Sequence, residues 1–207
     1  MANVKPTRSE LLQVKKKIAI ASSGYKLLKK KRDGLILEFF SVLKKARNIR
    51  LELTEEYASA LSKINIARAI DSDIQIKSAA MSIKQQPLVE LDTKNIMGVR
   101  IPSITSTEVK KSIFERGYGI LSATSKIDEA ADSYEAVVEK IIVAAEIEVT
   151  LKRLLKEIER TKRKVNALEQ LTIPRLKGDA VYIRLRLEEM ERENFSRLKM
   201  LKKEINY

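Results

Sequence analysis

The stretch Arg160-Thr-Lys-Arg-Lys-Val-Asn-Ala-Leu-Glu-Gln-Leu-Thr-Ile-Pro-Arg-Leu176 decides how the chain is read. It lies inside a long helical pattern, yet it carries a basic cluster and Pro174. Proline lacks an amide proton, and its ring crowds the carbonyl four residues back. A kink is therefore expected at Pro174, not a stop, with Gly178 adding looseness just after it. Val165, Leu168, Thr172 and Leu176 leave an apolar stripe that a single helix cannot cover. A partner helix is needed, and the first 60 or so residues supply it.

That partner opens on a capping-box spacing, Thr7-Arg-Ser-Glu10, just after Pro6. A heptad seam then runs through Leu11, Val14, Ile18, Ala21, Tyr25, Leu28, Arg32, Leu35, Phe39, Val42, Ala46, Ile49 and Leu53. Its steps alternate three and four, and Arg32 is its one charged member. Leu12, Ala19, Leu27, Ile36, Phe40 and Leu43 are expected to widen the buried stripe. Two fours in succession at Leu53–Tyr57 read as a stutter, after which Tyr57, Leu61, Ile64, Ala67 and Ile70 continue the helix. A helix over 8–70 would be about 90 Å long. The second seam begins near Ser122–Thr124 and follows Ile127, Ala130, Tyr134, Val137, Ile141, Ala144, Glu148, Leu151, Leu155, Ile158, Lys162 and Val165. Beyond Pro174 it resumes at Ala180, Ile183, Leu187, Met190, Asn194, Leu198, Leu201 and Ile205.

Between the seams the pattern changes. Pro87, Gly98 and Pro102 punctuate a stretch in which Val89 and Leu91, then Val99 and Ile101, alternate with polar neighbours. It reads as a short β-hairpin over about 86–104, with Asp92-Thr-Lys-Asn95 as the turn-like segment. The alternative at this point is an irregular linker. Gly117-Tyr-Gly119 offers a flexible break and no phosphate-binding motif. The expected fold is mainly α: a long antiparallel two-helix coiled coil with a small central head containing the hairpin. The divisions are 1–70, the first coil helix; 71–121, a head with a short helix and the hairpin; and 122–207, the second coil helix.

The composition narrows the chemistry. The 207 residues include no Cys and no His, which removes thiol chemistry, disulfides, and the commonest general base and metal ligand. Asp71 and Asp73, and Asp128, Glu129 and Asp132, are the closest carboxylate groupings. Nothing else completes an acid/base or metal site around them, so they read as solvated faces or helix N-terminal acids. No catalytic, cofactor-binding or metal-ligating residues are assigned. The start, Met1-Ala-Asn-Val-Lys-Pro-Thr7, has no signal-peptide apolar core, and Ile141-Ile-Val-Ala-Ala145 falls far short of a membrane span. A soluble intracellular chain is expected.

Charge is uneven. Residues 1–50 hold 14 Lys/Arg and 3 Asp/Glu, residues 51–151 hold 11 and 16, and residues 152–207 hold 16 and 9, for a formal total of +13. An antiparallel hairpin would bring both basic ends to one pole. The runs Lys15-Lys-Lys17, Lys29-Lys-Lys-Arg32 and Arg160-Thr-Lys-Arg-Lys164 admit three readings: phosphate contact with nucleic acid, a solvated helix surface, or contact with an acidic-walled protein socket. Few aromatics interleave with them, which weighs against stacking on bases. A basic coiled-coil nucleic-acid-binding or scaffold protein is therefore the alternative function. Arg32, Glu148 and Lys162, as polar seam members, are expected to set coil register, with Glu159 or Glu169 opposite Arg32.

Two blocks carry a resemblance. Pro6-Thr-Arg-Ser-Glu-Leu-Leu12 with Gly24-Tyr-Lys-Leu-Leu-Lys-Lys-Lys-Arg-Asp33 resembles the N-terminal signature of the D subunits of archaeal-type (A-type) and vacuolar (V-type) rotary ATPases. Arg163-Lys-Val-Asn-Ala-Leu-Glu169, Ile173-Pro-Arg-Leu176 and Ile183-Arg-Leu-Arg-Leu-Glu-Glu-Met-Glu-Arg-Glu193 resemble the C-terminal signature of the same family. Gly34, Gly178 and Lys164 depart from the pattern and bear on local stiffness. The resemblance implies a non-catalytic central-stalk rotor without a cofactor. Its coil would enter a hexamer of A and B subunits, with Lys15, Lys16, Lys17, Lys29, Arg184, Arg186, Arg192 and Arg197 as contacts. Its head, through Val89, Leu91, Val99 and Ile101, would meet the small F subunit and the adaptor of the membrane ring. Nucleic acid would not be a partner. The membrane would be met only through the complex, peripherally and on its cytoplasmic side.

Overall fold

The computed structural model of the chain describes residues 5–83, 88–107, 109–112, 116–118 and 124–205. The order of elements is α1 (Arg8–Ile70), α2 (Asp73–Ser82), β1 (Val89–Ile96), β2 (Val99–Ser106), α3 (Ser125–Ala167), a π-helical turn (Leu168–Thr172) and α4 (Ile173–Ile205). The chain divides into two compact units, residues 1–34 with 158–207, and residues 35–157.

In the first unit, α1 packs antiparallel to the end of α3 and to α4. Arg8 Nη2 meets Glu191 Oε1 at 2.5 Å, and Tyr25 donates its hydroxyl to Glu169 Oε1 at 3.1 Å, so rising numbers on α1 meet falling numbers opposite. The α1 seam is as the periodicity predicts: Leu11, Val14, Ile18, Ala21, Tyr25, Leu28 and Arg32 are each buried or half-buried. At the helix start Thr7 Oγ1 accepts from the Glu10 amide, half of the expected capping box. The expected widening of the stripe is not found here, because Leu12, Ala19 and Leu27 are exposed.

The opposite strip needs three corrections. Thr161 is 2% exposed and Lys162 lies outside, so the seam steps through Thr161. Thr172 is exposed and Ile173 is half-buried in its place. Leu168 to Ile173 is thus a step of five, the hydrogen-bond spacing of a π-helix, and the Ile173 amide donates to the Leu168 carbonyl across that turn. The helix runs on through Pro174. The wide turn just before the proline absorbs one extra residue, which the sequence shows as consecutive steps of four. Third, Met190, Asn194, Leu198 and Leu201 continue the apolar periodicity but are all exposed.

In the second unit, residues 35–70 of α1 pack antiparallel to residues 125–157 of α3, through Arg50–Glu148 at 2.5 Å, Lys140 with Glu56 at 2.7 Å and Glu52 at 3.1 Å, and Lys63 to Ser133 at 2.6 Å. Phe39, Val42, Ala46, Ile49 and Leu53 hold the predicted seam, while Phe40 and Leu43 are exposed and only Ile36 widens it. Beyond Leu53 the stutter does not occur. Glu56, Ala60 and Ala67 face inward, whereas Tyr57, Leu61 and Ile70 are exposed. Along α3, Leu154 is 0% exposed and Leu155 46%, and Ile141 also points out at 48%.

Helix α2 is closed at its start by a full capping box. Ser72 Oγ accepts from the Gln75 amide, and Gln75 Oε1 accepts from the Ser72 amide. No residue of α2 is buried. The hairpin pairs β1 and β2 from Val89↔Ser106 to Ile96↔Val99, and the sequence placed its turn too early. Asp92–Asn95 is strand, and the chain reverses at Met97-Gly98, with φ of 50° and 84°. A two-residue loop with both φ positive matches the twist of the strands, at some strain for Met97. Strand β2 faces α3: the Ile104 amide donates to Glu146 at 3.1 Å, and Arg153 Nη1 donates to the Arg100 carbonyl at 2.8 Å. Strand β1 is an exposed edge carrying Glu90, Asp92 and Lys94, charges that discourage edge-to-edge pairing. The expected helix start at Ser122–Thr124 falls partly outside the described residues, as do Pro87 and Gly119.

Candidate protein-docking surfaces

The first unit concentrates charge. Residues 1–34 and 158–207 hold 23 Lys/Arg against 10 Asp/Glu, whereas residues 35–157 hold 18 of each, so the whole formal +13 belongs to the first unit. Lys15, Lys16, Lys17 and Lys29 are all exposed there. Lys15, Lys16 and Lys17 make no ion pair among the described residues, and the Lys29 ammonium sits 5.9 Å from the Tyr25 ring centroid.

The arginines differ from these lysines. Arg184, Arg186, Arg192 and Arg197 are exposed, and three of them pair along their own helix: Arg184 with Glu188 at 2.9 Å, Arg186 with Glu189 at 2.8 Å, and Arg197 with Glu193 at 3.9 Å. Such pairs on a wet helix face contribute a few tenths of a kcal/mol and locally offset the positive charge. The lysines therefore supply most of the uncompensated field. Apolar surface accompanies it on α4: Phe195, Leu198 and Leu201 are 72, 64 and 53% exposed. A periodic apolar stripe left open in this way marks a contact surface.

In the second unit the residues expected at the head split into two groups. Val99 and Ile101 are 8 and 6% exposed and belong to the head's own core. Val89 and Leu91, 45 and 72% exposed, remain open on the edge strand, close in sequence to Leu88 at 63%. A further apolar groove of about 340 Å³ lies where small Ala46 and Ala144 meet in the seam, lined also by Leu43, Ile49, Leu53 and Ile147. Periodicity counted Ala46 and Ala144 as ordinary seam members and so did not show the gap they leave.

The polar seam residues behave differently from expectation. Arg32 donates to Asp33 of its own helix at 2.8 and 3.0 Å, while Glu169 accepts from Tyr25. Glu148 does cross the coil, to Arg50, and exposed Lys162 takes no seam place. In the two carboxylate groupings Asp71 and Asp128 prove less solvated than they read, while Asp132 stays 70% exposed. Asp71 accepts from Thr124 at 2.6 Å, and Asp128 and Asp132 both face Arg116, whose side chain is 1% exposed. Burial disfavours the charge on Arg116, but hydrogen bonds to Glu135 and Asp132 outweigh it and raise its pKa further. The signal for this site was present in α3, where Asp128, Asp132, Glu135 and Glu139 recur at steps of four, three and four, one helix face. Among the described residues no cluster of Asp or Glu is arranged to hold a metal ion, and no helix is long and apolar enough to cross a membrane.

The fold defines a class: two long helices from the two ends of the chain, seamed antiparallel, with a strand-hairpin head inserted between them in sequence. Comparison with known proteins names the family. The family model for the ATP synthase D subunit matches residues 10–203. The D subunit of the A-type ATP synthase of Methanosarcina mazei is 58% identical over 200 residues, covering 97% of this chain and 96% of its own. That of Methanoregula boonei is 50% identical over 202 residues, covering 98% and 97%, and that of Halorubrum lacusprofundi 48% over 200, covering 97% and 88%. The chain belongs to the family of ATP synthase D subunits.

Proposed function

We propose that the chain is the central-stalk, rotor-shaft subunit of an A-type ATP synthase. It couples rotation of the membrane ion-translocating ring to ATP synthesis or hydrolysis in the A/B hexamer. It makes and breaks no bond itself and needs no cofactor. The observation that carries this reading is the first unit: a closed seam of two helices clothed in exposed lysines, with an uncovered apolar stripe on α4. A shaft turning against several faces in succession is served by contacts that are long-ranged and salt-screened, because deep apolar anchoring everywhere would hold it on one face. Lys15, Lys16, Lys17, Lys29, Arg184, Arg186, Arg192 and Arg197 meet the A and B subunits. Coupling is a rigid-body rotation that biases the catalytic sites.

The head partners are the F subunit and the ring adaptor, which meet the open apolar side chains Val89 and Leu91. Functionally the chain divides at 1–70, 71–121 and 122–207. The protein is peripheral, on the cytoplasmic side, held at the membrane by the complex. The test is removal of residues 192–207 from the reconstituted complex. Coupled ATP turnover is expected to fall while the F subunit still binds; coupled turnover equal to that of the intact complex would refute the proposal.

A further inference from the structure

Between β2 and α3 the described residues 109–112 and 116–118 form neither helix nor strand. Even so, Val109, Arg116 and Tyr118 are 7, 1 and 9% exposed. What holds these described residues is a charge network on one face of α3. Arg116 grips Glu135 with two parallel bonds, Nε to Oε1 at 3.1 Å and Nη2 to Oε2 at 2.9 Å. The same Nη2 reaches Asp132 Oδ1, and Nη1 lies 3.8 Å from Asp128 Oδ1. Tyr118 donates to that Asp128 oxygen at 2.6 Å, the Lys111 amide donates to Glu135 Oε2 at 3.2 Å, and Lys110 Nζ lies 3.8 Å from Glu139.

Alone, Asp128, Asp132 and Glu135 would repel one another along the helix. One guanidinium offsets all three, and its planar fork matches a carboxylate in a way an ammonium cannot. The neighbouring Gly117 adds a second tie. It has φ +82°, and a Cβ there would lie 2.8 Å from the backbone oxygen of Ser82, so Gly117 passes against the last turn of α2. The hairpin is anchored separately, through Glu146 and Arg153.

We propose that Arg116 is the positioning residue of the head: clasped by Glu135, Asp132 and Asp128, it fixes residues 109–112 and 116–118 between β2 and α3 and seats the end of α2 against Gly117. Without it residues 109–112, 116–118 and the end of α2 loosen as one unit, while the hairpin anchor and the α1–α3 seam stay formed.

Hydrogen exchange on the full chain tests this. In Arg116→Gln, peptides containing residues 109–112, 116–118 and 79–83 should lose protection by about tenfold or more, with those at 40–53 and 144–154 unchanged. Arg116→Lys should fall between, having the charge without the fork. Glu135→Gln should weaken the protection of residues 109–112 and 116–118 in the parent protein, yet restore part of it in the Arg116→Gln background, because it removes a carboxylate left unpaired. Unchanged exchange in Arg116→Gln, loss spread equally over the seam, or a Glu135→Gln change that simply adds to the loss would each overturn the proposal. Should Arg116→Gln fail to fold, the same comparison is made on Arg116→Lys.

Discussion

Leu154 and Leu155 offer a direct test of how the coil is phased. They are adjacent, identical and in the same helix, yet Leu154 is 0% exposed and Leu155 46%. Replacing either by alanine changes helix propensity equally, so the difference between the two variants isolates burial. For a fully buried leucine the loss of transfer energy plus a residual cavity amounts to about 3 kcal/mol. For Leu155, half of whose surface is already in water, the loss should stay at or below about 1 kcal/mol. The gap of about 2 kcal/mol is about a 30-fold difference in the folded-to-unfolded ratio. At about 2–4 °C per kcal/mol for a chain of this size, Leu154→Ala should melt about 6–12 °C below the parent and Leu155→Ala no more than about 4 °C below. Thermal and urea unfolding followed by helical circular dichroism measure both. A Leu155→Ala variant as damaging as Leu154→Ala would refute the phasing and, with it, the inward placement of Thr161.

The chain lacks cysteine, so single introduced thiols report burial without background: Thr172→Cys should react with a maleimide faster than Ile173→Cys, and the reverse order would remove the five-residue step of the π-turn. Met97→Asn should stabilise the hairpin by about 0.5–1 kcal/mol, because Asn tolerates the positive φ that Met97 holds, and an unchanged urea midpoint would argue against that turn. Burial and the hydrogen bond to Asp128 raise the Tyr118 pKa, partly opposed by Arg116. The folded protein thus holds this proton more tightly than the unfolded chain. The stability it contributes is complete below about pH 10, the free-tyrosine value, and is lost as pH rises through the folded value. The phenolate absorbance difference between the parent and Tyr118→Phe should accordingly titrate later than free tyrosine, and a difference that titrates at or below the free value would count against the clasp.

The α1 seam was legible because its members, all apolar but Arg32, fall at alternating steps of three and four without a slip from Leu11 to Leu53. Legibility failed where the local pattern offers two equal choices. Leu154 and Leu155 satisfy the same periodicity, and only the partner helix selects between them. At Leu53 an apolar reading favours Tyr57 and Leu61, but the seam takes Glu56 and Ala60, with Glu56 pairing to Lys140 across the coil. Pro174 was readable as a proline the helix survives. The π-turn that lets it survive emerges only when burial is counted across it. The hairpin turn was hidden because Asp92–Asn95 has turn composition while Met97 is a poor residue for positive φ; strand pairing imposed it. Arg116 was the least visible, a lone arginine with no local pattern, whose partners are acids spaced along a different element.

The placement of charge joins these pieces. The second unit has a formal net charge of zero, and its ion pairs at Arg116, Lys140 and Arg50 hold the head and seam. The first unit has few crossing pairs and leaves Lys15, Lys16 and Lys17 to solvent. Exposed lysines are a weak means of stabilising a coil, since they repel one another and contribute nothing to the seam. They are an effective means of creating attraction that reaches about 8 Å into saline and then fades, without the close fit that a buried contact demands. A shaft that had to hold one orientation would gain from the second unit's arrangement throughout its length. In the rotor reading, the division is that of a device whose head is fixed to its partners by shape and whose coil meets the catalytic hexamer largely through a field.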